Sequence, residues 1–490
     1  MKKTKVKILL TAAILLAFGF NNSCVIHDYD TETESAGGRD IGPDTMPEVK
    51  GAAKRGVCFN NLSAAQVTSL MGGGNVTWAY NWGETPVNTT GNNPAKIGTE
   101  GSLAFMPMTW GSNFSEAKLR EYLDSVNDED KESVKCLLGF NEPNLGANVG
   151  GCAMLPDEAA ELWPTLEKIV EDYGLLLASP AMQYSGETLS NGKVYSTPES
   201  WLNEFIDSYR ENNDGKNPRM DYIALHSYMM WPGSVTEGYC DKYAKMYNRK
   251  VLLTEFCSWN DDEGIGNNPK IQRQKTSQKI EAMDQDPYVA GYAWFQADGN
   301  AVARPWNCLF TDTFKSELSD LGAIYAYLSC YDTEKYFEAG EKIPAASYIT
   351  SSNYEKNAKD PFAYGQLTFR KNDDEDETEG KSVAPLAIID FGKNYLSDAD
   401  KDKFQHYMNY QIKADAEGKY YFSIRYKSTA DQQIQIGGVS GVLENSNGAW
   451  TTKKAAVSDV NLNAGNNNIR LGHVRGESST IAWISFEKQN

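Results

Sequence analysis

The hydropathy patterns along this 490-residue chain predict an α/β protein, a (β/α)8 TIM barrel over residues 50–331 followed by an antiparallel β-sandwich over residues 332–490. Three observations carry that reading. Eight short apolar runs rich in β-branched and aromatic residues recur between about Arg55 and Asp298. Amphipathic stretches with apolar positions three and four apart lie between most of them. After about Tyr331 the pattern turns to alternation broken by Gly, Asn and Asp, as in antiparallel strands. Strands alternating with helices imply right-handed crossovers and a parallel sheet buried on both faces. Eight such strands point to a closed barrel, with an open doubly wound sheet as the alternative.

The elements follow in order. Lys2, Lys3, Lys5 and Lys7 precede ILLTAAILLAFGF, a basic stretch and a short apolar run that match an export signal over residues 1–23. Cys24 follows at once and resembles the lipidated Cys of bacterial lipoproteins, which would anchor an exported chain to a membrane surface, the outer membrane or cell surface, without spanning it. Residues 24–49 are polar, acidic and broken by Gly and Pro, which reads as a flexible tether. The eight strand-like runs are RGVCFN, VTWAYNWG, LAFMPMTW, VKCLLGFN, LLLASPAMQ, DYIALHSYM, VLLTEFCSW and VAGYAWFQAD. PDEAAELWPTLEKIVEDYG and SWLNEFIDSYRENN are the clearest intervening helices. Beyond residue 331, NYQIKADAEGKYYFSIRYKS, QQIQIGGVSGVL and STIAWISF alternate as sandwich strands, and NDDEDETEG (372–380) reads as a solvated loop.

Charge and composition exclude several classes. A net charge of −19 argues against nucleic acid, whose binding needs basic residues to displace counterions. The 27 Tyr, 18 Phe and 11 Trp suit stacking on sugar rings as well as a packed core. With four His and no H-E-x-x-H spacing, metal-assisted hydrolysis is weak; no G-x-S-x-G elbow or phosphate-binding Gly-rich loop occurs. No cofactor or metal is expected, and the chain is expected to act as a monomer. Leaving Cys24 aside, seven Cys remain and cannot all pair; Cys152, Cys240 and Cys308 stand in loop-like sequence with room for one disulfide.

On a parallel barrel the strand C-termini open on one face, where active-site residues collect. Those ends carry Asn141 and Glu142 after the fourth strand, His226 and Tyr228 on the sixth, Glu255 on the seventh, and Trp294 and Gln296 on the eighth. One Glu at a strand end is usually solvated, but two on one rim form the constellation of glycoside hydrolysis, an acid beside a nucleophile or base. Such a pair also argues against a glycan-binding lipoprotein without catalysis. Trp78, Tyr80, Trp82 and Trp110, at the ends of the second and third strands, are candidate platforms for pyranose faces, and His226 is a candidate for orienting a carboxylate.

GFNEPN followed by LLTEFCSW resembles glycoside hydrolase family 128, within a clan of (β/α)8 retaining enzymes. The resemblance spans about Arg55 to Tyr331 and implies hydrolysis of β-1,3-glucan, usually internally. It makes Glu142 the acid/base, Glu255 the nucleophile and Asn141 the residue that holds the sugar 2-hydroxyl. A β-1,4 or mixed linkage remains the nearest alternative, because linkage choice depends on loops. The distal region, from YQIKADAEGKYYFSIRY to IAWISF, is similar to carbohydrate-binding modules of family 6. Where those modules carry an acidic residue for calcium, this chain has Ala482 before Trp483.

Overall fold

The computed structural model describes residues 37–44, 54–229, 233–258, 269–299, 307–328, 331–354, 367–374, 384–389, 406–475 and 479–490. The export signal and Cys24 lie outside them. Eight strands come first: β1 (Arg55–Cys58), β2 (Val76–Tyr80), β3 (Ala104–Phe105), β4 (Cys136–Leu137), β5 (Leu176–Leu177), β6 (Ile223–Ser227), β7 (Val251–Phe256) and β8 (Val289–Trp294). Between and after them run α1 (Ala64–Met71), α2 (Glu116–Ser125), α3 (Pro156–Tyr173), α4 (Pro198–Asn212), α5 (Gly233–Tyr247), α6 (Pro269–Gln285) and α7 (Asp320–Tyr327). Local chemistry sets their ends. Ser63 and Gln66 cap α1 reciprocally, α3 and α4 each start on a proline whose missing N–H is no loss there, and Gly174 closes α3 in the left-handed conformation.

Six strands form one parallel sheet in the order β3-β2-β1-β8-β7-β6, while β4 and β5 pair separately. Single parallel bridges, Met108 with Leu138 on one side and Ala178 with Tyr222 and Met182 with Leu225 on the other, link the two sheets. The result is a distorted barrel with helices around it. Pro107 and Pro180 follow β3 and β5 closely, and a residue without an N–H cannot extend a ladder, so these strands are only two residues long. Met108, Leu138, Ala181, Ala224 and Ala293 fill the interior, and a larger apolar layer separates strands from helices.

Residues 37–44 do not behave as the composition of the tether suggests. Arg39 clasps Asp207 of α4 at 2.6 Å, Arg210 donates to the Asp40 carbonyl, Arg249 donates to those of Ile41 and Gly42, and Ile41 is buried. Asn248 and Arg249 precede β7, so this strap lies at the barrel face opposite the strand C-termini. The disulfide for which the sequence left room is absent: Cys152, Cys240 and Cys308 are all unpaired, Cys240 because it is buried within α5. Among the described residues no helix is long and apolar enough to cross a membrane.

After α7 the pairing becomes antiparallel, apart from one short parallel pairing of Phe337–Glu338 with Ile412–Lys413. The strands are β9 (Phe337–Glu338), β10 (Ile343–Pro344), β11 (Thr350–Ser351), β12 (Thr368–Lys371), β13 (Leu386–Ile389), β14 (His406–Ala414), β15 (Gly418–Ser428), β16 (Gln432–Ile436), β17 (Val439–Leu443), β18 (Thr451–Leu462), β19 (Gly465–Arg475) and β20 (Ser479–Lys488). They make two sheets, β12-β13-β20-β15-β18 with β10 at the side and β11-β14-β19-β16-β17 with β9 at the side, resembling a sandwich. The start of the acidic run is not simply solvated. Asp374 is buried and grips Arg425 through two bonds of 2.8 and 2.7 Å, and Asp373 pairs with Lys427 at 2.8 Å; residues 375–380 lie outside the described residues. Barrel and sandwich meet at α6, where Glu281 accepts bonds from Tyr348, Ser351 and Asn353.

Candidate active site

LLGFNEPN leaves β4 at the rim. Gly139 allows the chain to pass tightly against its neighbour, since a Cβ there would lie 2.9 Å from the backbone of Ser179 and Pro180. Asn141 and Glu142 are then tied on both sides: Asn141 N–H to the Trp110 carbonyl and Glu142 N–H to that of Ala181, each at 2.9 Å. Glu142 takes φ 44°, a left-handed conformation costly for any side chain but glycine's, and its carbonyl accepts the Leu145 N–H at 2.9 Å to close a turn over Pro143. Backbone strain of this kind collects at functional sites. It aims the Glu142 side chain inward, where the residue is 6% exposed.

Glu255 arrives on the seventh strand, in register with His226 on the sixth. His226 Nδ1 stands 2.6 Å from Glu142 Oε1 and 3.4 Å from Glu255 Oε2, so one imidazole joins both carboxylates. An oxygen of each Glu and a His226 nitrogen all lie within 4.8 Å of one another. These two carboxylate oxygens and one imidazole nitrogen are also a donor set that a divalent cation accepts.

The two carboxylates have different neighbours. Gln183, at the end of the fifth strand run, donates its amide to Glu142 Oε1, the oxygen that His226 also meets. With two partners on Oε1, a proton on Glu142 belongs on Oε2. Glu255 accepts from Trp82 at 2.8 Å and Tyr80 at 3.2 Å on Oε1, and from the Tyr228 hydroxyl on Oε2. Phe295 packs edge-on against Trp82 and Tyr228 and completes an aromatic collar around it. Burial raises the Glu142 carboxyl above the usual range, the charge of and bond from His226 pull it back, and the charge of Glu255 adds to the rise. Burial lowers His226, yet the charges of Glu255 and Glu142 outweigh it and leave the imidazole raised. The hydroxyls of Tyr80 and Tyr228, buried beside Glu255, are pushed well up and stay donors.

Of the residues singled out from sequence, Asn141, Glu142, Glu255, His226, Tyr80, Trp82 and Tyr228 come together here. Tyr80 is fully buried, so its hydroxyl positions Glu255 and its ring is no sugar platform. Trp110 stands beside Asn141 and is 39% exposed, as a platform requires. Three other candidates stand away from the two carboxylates. Trp78 lies over Gly56, where a Cβ would come within 2.2 Å of the indole, and its N–H bonds the Lys54 carbonyl at the closed end of the barrel. Trp294 points outward into the core against Phe256 and Tyr325, with its N–H on the Asn307 carbonyl. Gln296 is buried and donates to Asp298, which binds the Asn60 and Asn61 N–H groups and ties the ends of β8 and β1 together. Period-two alternation explains Trp294, since adjacent residues face opposite sides of a strand, whereas Trp78 faces the interior like Tyr80 but two residues short of the rim. Gln183 and Phe295 were missed, although Gln183 ends a strand run in the same way as the residues that were chosen.

Comparison with known proteins places this geometry. Residues 56–325 match the model of the glycosyl hydrolase catalytic core. Among solved structures, the chain is similar to a family 128 subgroup II endo-β-1,3-glucanase from Pseudomonas viridiflava, at 29% identity over 56% of this chain and 97% of that one, with a TM-score of 0.47. A subgroup II endo-β-1,3-glucanase from Sorangium cellulosum is 25% identical over 57% of this chain and 100% of its own, with a TM-score of 0.46. A subgroup V exo-β-1,3-glucanase from Cryptococcus neoformans is 25% identical over 56% and 98%, with a TM-score of 0.41. No curated protein matches. The family match runs through more than half of the chain, from β1 to α7 and across both rim carboxylates, so the chain belongs to the glycosyl hydrolase catalytic core family and is a glycosidase.

Proposed function

We propose that the protein is a retaining endo-β-1,3-glucanase built on a closed eight-stranded barrel, with Glu142 as acid/base and Glu255 as nucleophile. The observation that carries the mechanism is the spacing. Carboxylate oxygens within 4.8 Å of each other suit direct attack on the anomeric carbon, whereas an inverting pair stands about 6.5–9.5 Å apart to admit a water.

In the first step Glu142 Oε2 passes its proton to the glycosidic oxygen while Glu255 attacks the anomeric carbon, forming a glycosyl-enzyme ester and releasing the leaving chain as an alcohol. Burial that raises Glu142 keeps the proton available for this step. Trp82, Tyr80 and Tyr228 hold Glu255 in line for attack. Ester formation removes the Glu255 charge, which lowers the Glu142 carboxyl and turns it into a base. It then takes a proton from water, which attacks the same carbon and restores both groups. Asn141 is the candidate for the sugar 2-hydroxyl: its Oδ1 is buried and without a hydrogen-bond partner among the described residues. Trp110 is the candidate platform.

The β-1,3 linkage and internal cutting rest on the likeness of GFNEPN and LLTEFCSW to family 128. Export and lipid anchoring at Cys24 rest on sequence alone. The test is digestion of linear β-1,3-glucan and β-1,4-glucan, with product sizing and NMR of the first anomer formed. Early mixed oligosaccharides from the β-1,3 polymer, released as the β-anomer, are expected. An α-anomer first would overturn retention, and cleavage of the β-1,4 polymer alone would overturn the linkage.

A further inference from the structure

Helix α6 turns a row of fully buried polar side chains toward the rim of β6 and β7: Gln272, Gln278 and Lys279 are each no more than 1% exposed. Gln272 donates to the Ser258 carbonyl at 2.6 Å and Gln278 accepts the Gly233 N–H at 2.8 Å. Lys279 does more. The ladder between β6 and β7 runs out at Ser227 and Phe256, followed by one bond from Cys257 N–H to the Ser227 carbonyl. Past that point Lys279 Nζ donates to the Met229 carbonyl and, at 2.9 Å, to the Cys257 carbonyl. Met229 adjoins Tyr228, and Cys257 lies two residues beyond Glu255, the two partners in the hydroxyl-to-carboxylate bond of the site.

A lysine is an expensive residue to bury, and here burial pulls its ammonium down to about 7. An apolar residue would fill the same space without that cost. What it could not do is donate to carbonyls on two neighbouring chain segments at once, as the Lys279 amine does to Met229 and Cys257. Charged or neutral, the amine keeps at least two N–H donors for them.

We propose that Lys279 is a positioning residue: by clamping the carbonyls of Met229 and Cys257 it holds Tyr228 and Glu255 in a single geometry for attack. The inference rests on reading Glu255 as the nucleophile. Displacement of a nucleophile by about 1 Å costs on the order of 100-fold in rate.

The test is a double-mutant cycle in the full chain, with an activated aryl β-glucoside oligosaccharide as substrate. Lys279→Met is expected to lower kcat about 10- to 100-fold with KM within about twofold. In Glu255→Gly, where added azide attacks in place of the missing carboxylate, Lys279→Met should change the azide-rescued rate by less than about twofold, because no Glu255 remains to be placed. Equal losses in both backgrounds overturn the proposal and assign Lys279 to general stability. If Glu255→Gly cuts at the full rate without azide, the nucleophile assignment itself falls, a different result. Should Lys279→Met fail to fold, Lys279→Gln, which keeps an N–H donor, goes through the same cycle with a smaller loss expected.

Discussion

Two buried glutamates invite comparison: Glu142 at the open rim and Glu281 on α6, where the barrel meets the sandwich. Both carboxyls are raised by burial, Glu281 to about 7. Their neighbours separate them. Around Glu281 stand the hydroxyls of Tyr348 and Ser351 and the amide of Asn353, neutral donors from the segment that joins the two sheets to the barrel, while the charge of Asp284 adds a smaller rise. Around Glu142 stand an amide, an imidazole and, within 4.8 Å, a second carboxylate. A perturbed carboxyl therefore does not by itself mark a catalytic acid; a second titrating group near enough to change its charge during turnover does.

The largest effect that separates the two settings is expected from the rim. On the proposed mechanism Glu255→Gln should lower turnover by several orders of magnitude on every substrate, because the group that would form the ester is lost. Glu142→Gln should cost about 10²–10⁴-fold on glucan but far less on an aryl glycoside whose leaving group needs no proton. Equal losses on both substrates would remove Glu142 from the acid role.

His226→Leu tests the coupling. The imidazole's charge and bond hold the Glu142 carboxyl down, so their loss raises it, and the alkaline limb of the kcat/KM profile should move to higher pH with roughly a tenfold fall in rate. An unmoved limb would leave His226 a packing residue.

Glu281→Gln is expected to leave kcat/KM within about twofold and to change stability instead. The folded carboxyl keeps its proton up to about 7, while the unfolded one loses it near about 4.3. Folding therefore binds a proton across that window, and stability falls as pH rises through it, by on the order of 4 kcal/mol, then levels off. The Gln variant should show a flatter unfolding profile from pH 4 to 8. A matching slope in both proteins would remove Glu281 as its cause.

Most of the site could be read from the sequence because a barrel strand delivers its last residue to a shared rim, so Asn141, Glu142, His226, Tyr228 and Glu255 were found by position. The same rule misplaced Trp78 and Trp294. Trp78 points into the barrel from too low on its strand, and Trp294 faces the helices, a difference of one residue in phase that hydropathy does not encode in a strand buried on both faces. The sandwich was legible from alternation, whereas its attachment through Tyr348, Ser351 and Asn353 to a helix about seventy residues earlier was not.

The chain's own pattern determined the order of strands and helices, the change to antiparallel pairing, and which carboxylates could reach one rim. These follow from local periodicity, which neighbouring residues impose on each other. Only the tertiary structure decided that Glu142 and Glu255 share His226, that Gln183 and the aromatic collar divide them into different environments, and that Lys279 bonds the chain just past both β6 and β7. Protonation and orientation depend on charges and dipoles a few ångströms away, and in a barrel those come from strands far apart in sequence.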